Sequence, residues 1–270
     1  MSERDYVLGT HDAELERLGL QHRLWRPRML DAWRRARIGP GQTVLDVGAG
    51  PGYASLDLAE IVGRRGRVVA LERSRRFLDA LAARAAARGL AQLEAVETDV
   101  VTGDFGAHAA DAAWCRWPLC FVRDRRAVLR RIRAALRPGG VAVFHEYIDY
   151  RGWALTPPCA PHARFVEQVI ASWRADGGEP DAGRYLAAEL LDTGFRVEST
   201  RLHVELLEPG DPLWRWPIAY VEVGSERFVE LGLMTAEQAR ELTAAVRAAE
   251  ARPETRMITP AVLELIARVA

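Results

Sequence analysis

The stretch Val44-Leu-Asp-Val-Gly-Ala-Gly-Pro-Gly52 decides the fold. A short apolar run passes into a loop with glycine at positions 48, 50 and 52, and residues 53–61 continue at helical spacing. Glycine takes positive φ and lets backbone amides approach a ligand closely, here at a helix start where those amides are unpaired. The pattern is Gly-x-Gly-x-Gly, with Asp46 two residues ahead of it. A dinucleotide fingerprint needs Gly-x-Gly-x-x-Gly, and Tyr53 stands where its last glycine would be.

Outward from this loop, strand and helix alternate. Residues 43–47 and 67–71 read as the first two strands. Ser74 is placed to cap an alanine-rich helix that stops at Gly89. Residues 93–96 and 111–115 read as strands three and four, and residues 124–136 as a helix. A turn at Arg137-Pro-Gly-Gly140 leads into a fifth strand, 141–147. Buried apolar runs separated by helices indicate a parallel sheet covered on both faces, and right-handed crossovers wind it in two directions. The expected fold is α/β: a doubly wound, Rossmann-like, mostly parallel sheet with helices on both faces and an α-helical lid. Residues 1–40 read as two helices joined near Pro27 and belonging to the lid, and 41–150 as the core. Residues 151–194 read as lid helices, 195–208 as a core strand, 209–256 as a helical cap insertion and 257–270 as a closing strand. For residues 261–269 a helix fits the pattern as well.

Composition excludes several classes. Of 270 residues, 49% are hydrophobic and 27% charged, which suits a globular chain with a real core and not a disordered one. Lys and Arg number 37 against 37 Asp and Glu, so the total charge gives no support to a nucleic-acid partner. Every basic residue is Arg, which rules out Schiff-base chemistry on a lysine. Cys115, Cys120 and Cys159 lack metal-ligand spacing and are odd in number, so neither a disulfide framework nor structural zinc is expected. Without a signal-like or membrane-spanning apolar run, the expected location is the cytoplasm.

The glycine stretch resembles motif I of class I S-adenosylmethionine-dependent methyltransferases of the small-molecule type, and the likeness extends over residues 40–150. That resemblance implies a loop holding the methionine end of S-adenosyl-L-methionine through Asp46, Gly48, Ala49, Gly50 and Gly52. Val68-Val-Ala-Leu-Glu72 ends the second strand where the family binds ribose, implying Glu72 and its neighbour Arg73, because a carboxylate accepts two hydrogen bonds from a diol. Glu94-Ala-Val-Glu-Thr-Asp99-Val100 is similar to the segment that contacts adenine, implying Asp99 and Val100, with Glu97 as a competitor. Asp111-Ala-Ala-Trp-Cys-Arg-Trp117 resembles the strand facing the methyl donor, and there Arg116 is placed to meet the donor carboxylate or an acidic acceptor group. The lead-in containing Tyr6, Glu14, Arg17 and Gln21 is similar to that of small-molecule members, implying Tyr6 and Gln21 at the cofactor.

For the acceptor, Trp117, Tyr147, Trp153 and Trp214 are the expected wall, either packing the cap on the core or contributing a cation–π attraction of ~0.5–2 kcal/mol to a sulfonium. His145 and Glu146 end the fifth strand and are the candidate general bases, although adjacent strand residues face opposite ways. No carboxylate/histidine spacing indicates a metal. The expected reaction is methyl transfer to an O, N or C nucleophile of a small, largely apolar or aromatic acceptor, by a monomer or homodimer acting on neither nucleic acid nor membrane. The alternatives are a binder of S-adenosylmethionine that does not methylate, and a nicotinamide-dependent oxidoreductase.

Overall fold

Runs of mostly apolar residues buried on both sides (44–47, 68–71, 112–115 and 141–144) place four parallel strands at the centre of the molecule, and a fifth, more exposed one at 93–97 forms the edge of their sheet. The computed structural model describes residues 12–106 and 109–270. Helix α1 (Asp12–Arg35) leads into β1 (Thr43–Val47), α2 (Tyr53–Val62), β2 (Arg67–Glu72), α3 (Arg75–Ala87) and β3 (Leu93–Glu97). Then come β4 (Ala110–Arg116), α4 (Arg125–Ala135) and β5 (Leu136–Asp149). The remainder runs β6 (Ala154–Thr156), α5 (Ala160–Ala175), α6 (Gly183–Asp192), β7 (Phe195–His203), β8 (Leu206–Leu207), α7 (Arg215–Glu230), α8 (Ala236–Glu250), β9 (Arg256–Ile258) and β10 (Ala261–Val269).

The large sheet has the order β3-β2-β1-β4-β5-β10-β7. Strands β1 to β5 pair in parallel, and β10 is antiparallel to both β5 and β7. Successive strands are added to one side of β1 and then to the other, so the ends of β1 and β4 open a crevice at the switch point where such sheets bind ligands. One face carries α1 and α2 over Met29, Trp33, Leu58, Trp114 and Val143. The other carries α4 and α6 over Leu129, Phe144, Leu186 and Leu265. Above the strand ends, α5, α7 and α8 pack on one another, and α7 also packs on α1. A layer rich in Trp and Tyr lies in this cap and against the sheet.

Several expectations need correction. The two N-terminal helices are one, α1, which runs through Pro27. Of the 151–194 stretch only α5 joins the cap, because Leu186 and Leu190 of α6 are needed to cover the sheet. Residues 195–208 divide at Val204, and β8 leaves the large sheet for a small one of order β6-β9-β8. Met257, expected in the closing strand, belongs to that small sheet, while β10 alone closes the large one as a strand and not a helix. The expected turn at Arg137–Gly140 is an excursion within β5. Leu136 sits opposite Ala110 and Val141 opposite Ala112, so four residues bulge against one.

Candidate active site

The strand-end crevice and the cap enclose a cavity of about 470 Å³. Its floor is made by the loops after β1, β2, β3 and β4, and its walls by α1, α5 and α7. Two chemically different halves meet in it.

The first half is polar. Gly48, Ala49 and Gly50 line it, all between β1 and α2. Gly48 has φ 69°, and a Cβ there would lie 2.4 Å from Pro118, so backbone and proline ring touch where any side chain would intrude. Glu72 lies beside the loop and accepts from the amides of Gly50 at 2.9 Å, Arg73 at 3.0 Å and Ser74 at 2.9 Å. Burial raises its pKa, and the same amides oppose that rise. Asp99 also lines the cavity. One of its oxygens accepts from the amides of Val101 and Thr102, and although burial acts to raise its pKa, these bonds outweigh it and the net shift is downward. Arg73, Val100, Gln21 and Arg116 complete the expected residues found on the cavity wall.

Asp46 and Gly52 stand behind the loop and do not line the cavity. Asp46 accepts from the Ser55 hydroxyl at 2.5 Å, and burial pushes its pKa up to about 6. It braces the loop against α2. A Cβ on Gly52 would fall 2.2 Å from Leu81, so this glycine serves helix packing. Tyr6 lies outside the described residues.

The second half is aromatic. Trp117, Tyr147 and Trp216 have near-parallel rings, with interplanar angles of 5–15°. Tyr150, Trp153, Trp173 and Tyr220 continue the wall. Trp216 donates its Nε1 to Gln21, which also accepts from Arg17, and the Arg17–Glu14 ion pair is buried with it. Burial raises the pKa values of Tyr147, Tyr150 and Tyr220. Sequence reasoning did not single out Tyr150, Trp173 and Tyr220. For Tyr220 a signal existed, since Trp216 and Tyr220 are four apart and share a helix face. Trp214, expected on the wall, is buried behind it.

Neither candidate base reaches the cavity. His145 turns under α1 against Trp25 and Trp114, and burial pushes its pKa down to about 4. Its Nε2 and that of His203 each lie 3.1 Å from Glu264 Oε2, and Arg35 pairs with the other Glu264 oxygen. This carboxylate is satisfied by three partners, one of them a guanidinium that opposes a dication at the same place. Glu146, on the opposite face, accepts from the Leu119 amide at 3.0 Å and carries the turn after β4; burial pushes its pKa up to about 8. The β5 residue that does reach the cavity is Tyr147.

Residues 44–140 match the family model described as a methyltransferase domain. A 2-phytyl-1,4-naphtoquinone methyltransferase of Synechococcus elongatus is 36% identical over 151 residues, which are 55% of this chain and 59% of the relative. The chain therefore spans less than two thirds of the length of that curated relative. Among solved structures, a putative methyltransferase from Bacillus halodurans superposes with a TM-score of 0.59 at 16% identity, covering 88% of this chain and 97% of its own. The [4+2]-cyclase SpnF superposes with a TM-score of 0.55 at 20% identity, covering 89% and 80%. Residues 44–140, which hold the glycine loop and most of the parallel strands, thus match a methyltransferase domain, and the seven-stranded architecture is shared with these solved structures.

Proposed function

We propose that this protein transfers a methyl group from S-adenosyl-L-methionine to an O, N or C nucleophile of a small, flat, largely aromatic acceptor. The observation that carries the reading is the continuity of the cavity, whose polar floor runs without a wall into the aromatic half.

The residues present fit the donor. Across the sheet order β3-β2-β1-β4, Asp99, Glu72, Gly48–Gly50 and Arg116 form a row along the strand ends. Glu72 suits a ribose diol, and between its glycines the loop carries nothing larger than Ala49 and Pro51 toward a ligand lying across it. When bound, the sulfonium supplies an electrophilic methyl that passes to the acceptor nucleophile as the carbon–sulfur bond breaks and its electron pair returns to sulfur. The chain's own contribution is alignment and exclusion of water. Well-oriented reactants gain effective molarities of ~10⁵–10⁸ M. The cap helices, with Trp117, Trp216 and Tyr147, hold a planar ring against the strand ends, and electron-rich ring faces attract a nearby cation.

Among the described residues, no histidine lines the cavity, and its carboxylates are Glu72 and Asp99 on the polar floor and Asp124, which caps α4. The acceptor nucleophile is therefore one that is already deprotonated, or that gives up its proton without a dedicated base. The same observation favours a second reading, in which the bound sulfonium serves a non-methylating reaction.

No described helix is long and apolar enough to cross a membrane, and the three cysteines are free, which suits the cytoplasm. The reading includes a monomer or homodimer with no nucleic-acid partner.

The test is incubation with donor carrying a labelled methyl and a panel of hydroquinones, phenols and tertiary amines, read by mass spectrometry. Gain of one labelled methyl on an aromatic acceptor is expected. Donor binding with no transfer to any acceptor would favour the second reading, and failure to bind S-adenosylmethionine or its demethylated product would overturn both.

A further inference from the structure

The outer edge of the large sheet is β7, and β8 continues the same line along the edge of the small sheet. An unpaired edge is a template for another strand, and folds guard it with charges and bulges. The first part of this edge is guarded. Arg196, Glu198 and Arg201 are exposed along it, and the register against β10 slips between Val197 and Ser199. The second part is not. Leu202, Val204 and Leu206 stand at alternate positions and are 58%, 43% and 66% exposed. Ile258, opposite Leu206 in β9, is exposed as well. Between them His203 and Glu205 turn the other way, to Glu264 and Arg28. Four large apolar side chains thus share one outer face beside a free strand edge.

The backbone fixes how that edge is offered. The Glu205 amide donates to the Thr259 hydroxyl at 3.0 Å, and its carbonyl accepts from the Thr259 amide at 3.0 Å, so both groups point inward. Neighbouring residues of a strand direct these groups to opposite sides, so those of Val204 and Leu206 face the free edge. A second copy can meet them in one antiparallel register. With a two-fold axis on Val204, Val204 opposes its own copy, Leu202 opposes Leu206 and His203 opposes Glu205. Outward backbone groups then meet outward groups, and the apolar stripe runs on across the axis. Sliding by two residues one way sets Glu198 against Glu208 and His203 against itself. Sliding the other way sets Glu205 against itself and Leu202 against Glu208. Like charges directly opposite destabilise a strand pair, and of these three registers only the one on Val204 avoids them. A slide by one residue would turn the apolar set to the wrong face.

We propose that the edge at residues 202–207 is the interface of a two-fold symmetric homodimer in which Val204 meets its own copy. The occupant is a second copy of this chain because the edge is complementary to itself in charge, apolar pattern and backbone direction, as an isologous contact requires. The charged first part of β7 keeps the contact short. It falls at the small end of specific interfaces, so assembly is reversible, with a dissociation constant of about 1–100 µM. None of the four apolar residues lines the cavity, so the interface and the reaction site are separable.

The experiment is sedimentation velocity of the full chain from about 1 to 300 µM, paired with cysteine cross-linking. The wild type should pass from monomer to dimer across this range. Val204→Asp brings two carboxylates together on the axis and should raise the dissociation constant by about tenfold or more. Its thermal midpoint should stay within a few degrees of the wild type, because the side chain is exposed. In Val204→Cys the two thiols face each other across a strand pair about 5.5 Å wide, and a short bis-maleimide should join them. In Leu206→Cys the two thiols lie about 14 Å apart along the strands and should stay unlinked, whereas a mixture of Leu202→Cys with Leu206→Cys should link. The wild type is the blank for the partly exposed Cys159. A wild type that is monomeric at every concentration would overturn the proposal, as would a dimer that Val204→Asp leaves intact. So would Leu206→Cys linking to itself as readily as Val204→Cys. A monomeric wild type that binds phosphatidylcholine vesicles, and loses them in Val204→Asp, would give the stripe to a lipid surface in place of a second copy.

Discussion

The donor half of the cavity and the aromatic half are built by opposite strategies. Each polar-side residue ends its own strand or lies within two residues of that end, so Gly48, Glu72, Asp99 and Arg116 inherit their places from the register of β1 to β4. Apart from Tyr147 in β5, aromatic-side residues come from α5, α7 and the loops after β4 and β5, which lie outside the sheet register. The first half is fixed by backbone pairing and the second by side-chain packing between helices. A change of acceptor therefore needs only new side chains in the cap, while a change of donor would need a new sheet.

Three substitutions would break or sharpen that contrast. The largest effect is expected on the donor side. Glu72→Ala removes the carboxylate that would accept from the ribose hydroxyls and that holds the amides of Gly50, Arg73 and Ser74, and at about 1.5–3 kcal/mol for each hydrogen bond to a charged group the donor affinity should fall by about 100-fold or more. Calorimetry checks this, and an unchanged dissociation constant would end the division into halves.

Trp216→Ala should act on the other side only. It removes one ring of the parallel set and costs about 3–5 kcal/mol of stability. The acceptor KM should rise about tenfold or more while donor affinity stays within a few-fold, a split visible in paired titrations. Equal losses on both sides would show that the cap also shapes the donor half.

The smallest effect concerns the turn between the halves. Burial raises the Glu146 pKa to about 8 in the folded chain, against about 4.3 when unfolded. A carboxyl with a raised folded pKa favours the folded state fully below the unfolded value, and that contribution is lost as pH rises through about 8. Wild-type stability should decline between pH 5 and pH 8 by up to a few kcal/mol relative to Glu146→Gln, whose amide oxygen can still accept from Leu119. Urea denaturation at several pH values measures the difference, and parallel profiles would show that Glu146 titrates alike in the folded and unfolded chains.

The same contrast explains what could be read from the chain alone. The five parallel strands, the glycine loop and the positions of Glu72, Asp99 and Arg116 were legible because each depends on residues adjacent in sequence. The continuity of α1 through Pro27 was hidden because packing overrode a local breaker. The small sheet of β6, β8 and β9 was hidden because strands of two and three residues carry too little pattern to stand out. His145 and Glu146 were misplaced for a geometrical reason. Counting along β5 ended the strand at 147 where it runs on to Asp149, and α1 and the turn after β4 extend past both residues. Tyr150 and Trp173 could be found only once the cap was docked.

The backbone of Trp117 is left-handed, with φ 67°, and its amide is held by the His145 carbonyl. Its predecessor lines the polar half of the cavity and its own indole the aromatic half. The two halves are thus joined through one residue in a conformation that side chains rarely adopt. A seam one residue long leaves no slack: the distance between the two reactants is set when the chain folds, and a helix swapped into the cap inherits it unchanged.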